Sequence, residues 1–78
     1  MGKEKIQLVD VELLNNIARR IKDLRAEKGI SQEVFYNDTG INIGRIERSK
    51  RNFSVSTLKK ICDYFEINID EFFSKGFY

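Results

Sequence analysis

Between Ser31 and Arg51 the chain reads SQEVFYNDTGINIGRIERSKR, and the side chains best equipped for chemistry crowd its second half. Arg45, Arg48, Lys50 and Arg51 fall close together, with Asn42 just before them and Asn52 directly after. Residues 41–60 carry six Lys/Arg against one Glu, whereas residues 61–78 carry one Lys against four Asp/Glu. The total of +2 therefore hides a basic middle and an acidic end, a distribution that invites a polyanion to dock at the middle. Catalysis finds little to work with. There is no histidine to act as general base, and the single cysteine supports neither an internal disulfide nor a Cys/His metal site. No glycine-rich phosphate loop is present, so an enzyme is the weakest reading, and no cofactor, metal or small-molecule ligand is expected.

Those cations need elements to hold them. Helix 1 is expected from Asp10 to about Lys28, because Leu13, Leu14, Ile17, Ile21 and Leu24 recur at three- and four-residue spacing. Asp10 is its N-cap, Val9 can staple onto Leu14, and Lys28-Gly29 is a stop. Its other face is assigned Arg19, Arg20, Lys22, Asp23, Arg25 and Glu27. A short helix 2 starts at Ser31, with Ile30 and Phe35 as a staple pair, until Asn37-Asp38-Thr39-Gly40 breaks the pattern. Helix 3 turns Ile43 and Ile46 inward and ends near Arg48; Thr39 is its preferred N-cap and Asn37 the alternative.

Ser49-Lys50-Arg51-Asn52 forms a polar loop. Helix 4 begins at Ser54, stapled by Phe53 and Leu58, and buries Leu58, Ile61, Cys62 and Phe65. Asn68 with Glu71 forms a capping box for helix 5, where Ile67 can staple onto Phe72. The same device at successive helix starts makes a five-helix, all-α reading self-consistent. Residues 1–9 are an N-terminal arm, 10–74 the domain, and 75–78 a C-terminal tail.

Seventy-eight residues make one small domain, at 41% hydrophobic and 33% charged of ordinary globular composition. No apolar run is long enough for a membrane span and no secretory signal follows Met1, so a cytoplasmic location is expected. Cys62 falls at a core position and reads as a buried thiol.

Two short helices with a polar, Gly-containing join, followed by a cationic cluster, form the pattern of a helix-turn-helix unit that meets DNA. Beyond that pattern, IKDLRAEKGISQE at 21–33, IGRIERSKRN at 43–52 and SVSTLKKICDYFEI at 54–67 together resemble the Cro/C1-type helix-turn-helix family, the lambda-repressor-like or XRE domains. With helix 5 the resemblance covers about residues 17–73. It departs from the family in one place: Phe35-Tyr36 fills a region usually alanine, and the segment from Gln32 to Ile46-Glu47 is shorter than typical. The resemblance thus implies a five-helix lambda-repressor-like domain with a shortened helix 2 or turn.

It further implies that helix 3 lies in the major groove of double-stranded DNA. Base contacts then fall to Gly40, Ile41, Asn42 and Arg45. Asn42 would pair with adenine, Arg45 with guanine, Ile41 with a thymine methyl, and Gly40 and Gly44 would let backbone approach. Phosphate contacts fall to Ser31, Gln32, Thr39, Arg48, Lys50, Arg51 and Asn52, with backbone N–H groups at the helix 2 start assisting. Glu47 is expected to brace Arg25.

Phe72, Phe73, Phe77 and Tyr78 are too many aromatics for a tail that faces only water, and they suggest a homodimer interface. Such a dimer would read half-sites one DNA turn apart, most simply as a repressor on an operator. The rival is an antitoxin- or anti-repressor-like protein-interaction module on the same fold, using that aromatic surface.

Overall fold

Asp10 and Gly29 set the length of the first helix. The Asp10 carboxylate accepts a hydrogen bond from the Leu13 amide at 2.9 Å, and Gly29 takes the left-handed conformation (φ 67°) that ends the helix. A side chain there would be strained by that φ alone, which is why the stop is a glycine. Helix α1 therefore runs Val11–Lys28. The computed structural model describes residues 9–49, 52 and 54–77, the side chains of Glu47 and Ser49 excepted. The other elements are α2 (Gln32–Thr39), α3 (Ile43–Ser49), α4 (Val55–Tyr64) and α5 (Ile69–Phe72), with no strand among the described residues.

Local chemistry accounts for most of the helix starts. Ser31 Oγ accepts from the Val34 amide at 3.1 Å and Ser54 Oγ from Thr57 at 3.0 Å, each worth about 1 kcal/mol. Asn68 occupies the N-cap position of α5, yet its side chain makes no capping bond, so the expected capping box with Glu71 does not form. Four residues of α5 are held by packing instead: Phe72 is fully buried, and Ile67 packs against the same core.

The core joins all five helices. Ile17, Ile21 and Leu24 of α1 meet Phe35 of α2, Ile43 of α3, Leu58, Ile61 and Cys62 of α4, Phe65 just after it, and Phe72 of α5. Phe35 and Phe65 stack at 5.7 Å between ring centroids, and Tyr64 meets both edge-on. Each fully buried aromatic of this kind contributes about 1.5–3 kcal/mol relative to exposure. Cys62 is inside, as its position on α4 predicts, and burial first and Asp63 second push its thiol pKa up.

Three expectations are corrected. Leu13 is half out of the stripe, at 41% exposure, on the lip of a shallow cleft with Leu14, Ile17, Val55 and Leu58. Arg20 and Arg25 are buried rather than solvated. Arg20 Nε donates to the Phe72 carbonyl at 2.7 Å and a terminal nitrogen to Glu71 O at 3.2 Å, with the guanidinium over the Phe72 ring. That arginine ties α1 to the end of α5, satisfying carbonyls a helix C-terminus leaves open. Third, Phe72 belongs to the core and not to a dimer surface. It is wholly buried, with Phe73 and Phe77 edge-on or tilted against it. The tail expected at 75–78 packs back as far as Phe77, which lies partly buried on Phe73 at 4.8 Å.

Candidate nucleic-acid interface

The start of α3 decides what its side chains can reach. Helix α2 continues through Asn37, Asp38 and Thr39, and Gly40 ends it in the left-handed conformation (φ 76°). The Thr39 hydroxyl donates to Phe35 O at 2.7 Å and accepts from the Ile41 amide at 3.0 Å. Asn42 then caps α3: its Oδ1 accepts from the Arg45 amide at 2.9 Å, and its carbonyl from Ile46 at 3.2 Å. Neither Thr39 nor Asn37 is the cap. Thr39 is occupied in closing α2, and a glycine that turns the chain separates it from α3.

Helix α3 has two faces. Ile43 is buried and Ile46 partly so, against the core. Asn42, Arg45 and Arg48, spaced by three, are all exposed on the other side. Between them Gly44 is buried, although it lies on this outer side. What covers it is polar. A Cβ placed on Gly44 would stand 3.0 Å from Gln32 Oε1, 3.2 Å from a terminal nitrogen of Arg48 and 3.5 Å from Asn42 Oδ1. The first residue of α2, the cap of α3 and the last arginine of α3 thus converge over one glycine. Arg45, next in the chain after Gly44, is exposed.

Such a face carries donors for phosphate oxygens and base edges: two guanidiniums, two amides and the open N–H groups at the start of α2. Asn42 Oδ1 gives one lone pair to the capping bond of α3, which leaves its second lone pair and the amide donors for a base edge.

The remaining candidates divide. Gln32 is exposed and lies in the cluster, and Ser31 is exposed with its oxygen in the α2 cap. Thr39 is 5% exposed with its hydroxyl engaged inward, which takes it out of the phosphate set. Ile41 is half-buried against the core, and Gly40 is explained by its turn conformation. Asn52 is exposed on the side of the Leu13–Val55 cleft. Lys50, Arg51 and Tyr78 lie outside the described residues, as does Phe53 of the expected staple. So does the side chain of Glu47, the expected brace. Arg25 itself donates to Ile30 O at 3.2 Å, and its buried Nε has no partner among the described residues.

Sequence reasoning missed what anchors α2. Tyr64 of α4 donates to the Asp38 carboxylate at 2.6 Å, and that bond raises the tyrosine pKa above its usual 10.0. No local signal marks a pair so far apart in the chain. Arg20 did carry one, because it stands three residues after Ile17 and four before Leu24, on the apolar stripe itself.

Two short helices joined by a tight glycine turn, seated on a three-helix scaffold with a polar, cationic outer face, define a helix-turn-helix DNA-binding domain. The helix-turn-helix family model matches residues 21–72, most of the chain, and the protein belongs to the Cro/C1-type helix-turn-helix family, the XRE-like regulators. A search of curated protein sequences finds no match. The protein is a DNA-binding helix-turn-helix regulator, and among the described residues no helix is long and apolar enough to cross a membrane.

Proposed function

We propose that the chain is a sequence-specific repressor that inserts α3 into the major groove of operator DNA and acts as a homodimer. One observation carries the reading: Gln32, Asn42 and Arg48 bring their polar ends together over Gly44 at the start of α3, and the neighbouring Arg45 is exposed. Arg45 reads a guanine there, and Gln32 engages the flanking backbone. Phe72 is not available to a dimer contact, so the outer parts of Phe73 and Phe77 are the aromatic candidates. The same burial weakens the rival protein-interaction reading, which drew on a larger aromatic surface.

The test is fluorescence-anisotropy binding to a random 20-base-pair duplex and to the duplex upstream of the protein's own gene, over a salt series. A log–log salt slope of several units with tighter binding to the upstream duplex is expected. Absence of binding at low salt would overturn the reading. Sedimentation equilibrium of the free chain and of the complex checks the dimer.

A further inference from the structure

Resting on that reading, the geometry points to Gly44 as a positioning residue that sets which base sequence α3 selects. Gly44 sits inside α3, where glycine costs helix stability relative to alanine and no positive φ requires it. Contact with DNA backbone does not explain it either, because the glycine is covered by the chain's own side chains. The space a methyl would take is where three polar ends meet. Arg48 folds back toward the start of its own helix, one turn along, and brings its guanidinium beside the Asn42 and Gln32 oxygens.

A Cβ at this position would force the Arg48 guanidinium and the Gln32 carboxamide to move outward from the start of α3. With glycine there, the guanidinium is drawn to the N-terminal half of α3, the half that faces base edges in this mode of docking. Gly44 thus makes Arg48 part of the selecting group, acting through that guanidinium without touching DNA.

A methyl at Gly44 meets only the far ends of flexible side chains, so the fold accommodates it while the cluster must shift. The experiment starts from 20-base-pair duplexes enriched by the wild-type chain from a randomised pool. Gly44→Ala is expected to unfold at the same or a higher temperature than wild type, yet to bind the enriched duplex about five- to tenfold more weakly. Its affinity for a random duplex should change little. Repeating the enrichment with Gly44→Ala should return a different preferred sequence at one or two positions.

Arg48→Ala should lose the same discrimination, and Gly44→Ala added to it should cost nothing further, since both act through one guanidinium. Equal affinity and an unchanged enriched sequence for Gly44→Ala would overturn the inference. So would full additivity with Arg48→Ala, which would mean the methyl acts elsewhere. Failure of the wild-type chain to enrich any sequence is a separate result, and it would overturn the function proposed above instead.

Discussion

Arg20 on α1 and Arg48 on α3 are the same side chain in opposite employment. Arg20 is 7% exposed, lies over Phe72, and donates to the carbonyls that end α5. Arg48 is exposed and folds over a glycine among uncharged oxygens. One holds the scaffold together; the other belongs to the surface the scaffold presents. The lesson concerns charge counting. A segment's net charge describes the field a polyanion meets, but a cation whose guanidinium is hydrogen-bonded inward contributes to packing and not to contact.

The sharpest way to break this contrast is at the residue Arg20 covers. Phe72→Ala removes a wholly buried ring, at about 3–5 kcal/mol. A domain this small holds little more than that in total. The variant should be largely unfolded at 37 °C by circular dichroism. Were Phe72 instead an interface residue, the monomer would stay folded and only the association would weaken. Phe73→Ala, at a partly buried ring, should fold and lose less.

Arg20→Ala comes next. It leaves the Phe72 and Glu71 carbonyls short of a charged donor, at about 2–4 kcal/mol. Urea titration should show the loss in midpoint, while DNA affinity measured at low temperature, where the variant is folded, should hold. A drop in affinity with folding intact would place Arg20 in the contact surface and dissolve the distinction.

Arg45→Ala should do the reverse: no change in unfolding midpoint, and a loss of about 1–3 kcal/mol in preference for one base pair of the enriched duplex. An unchanged preference would mean that α3 docks at another angle. Together, Arg20 and Arg45 test whether burial alone sorts the arginines of this chain.

Much of this was legible beforehand, for reasons that differ by element. The helices follow largely from Asp10, Ser31 and Ser54 as caps, Gly29 as a stop, and the three- and four-residue spacing of α1 and α4. Such signals are local, and local signals survive folding. The start of α3 was misplaced at Thr39 or Asn37, because Asn42, the cap it has, is one of several residues of capping type between 37 and 42. What decides among them is the Thr39 hydroxyl closing back onto Phe35, and that depends on Phe35 being anchored in the core. The burial of Arg20 was half legible, from its place on the apolar stripe, but its partners were not: the carbonyls of Glu71 and Phe72 come within reach only once α5 lies against α1, a contact spanning most of the chain. Of the candidate face, Gln32, Asn42, Arg45 and Arg48 were all named through the resemblance to the family together with their side-chain chemistry. The cluster over Gly44 was not, since an empty position has no side chain to announce it.

Smallest in effect is the bond that fixes the reading unit to the scaffold from its far side. Tyr64 donates to Asp38, so α4 holds the last turn of α2 while the core holds its first. The bond needs the phenol protonated, and the folded pKa is raised chiefly by that hydrogen bond. The folded chain therefore keeps its proton at pH values where the unfolded chain has lost it. The stabilisation is fully present below pH 10.0 and fades as pH rises through the higher folded value. Tyr64→Phe should lower the unfolding temperature slightly at neutral pH and show a flatter decline than wild type across the alkaline range. Its binding to the enriched duplex should match wild type at low temperature. If the substitution instead alters sequence preference with stability unchanged, the orientation of α2 and α3 depends on this far contact, and scaffold and reading unit are less separable than their two arginines suggest.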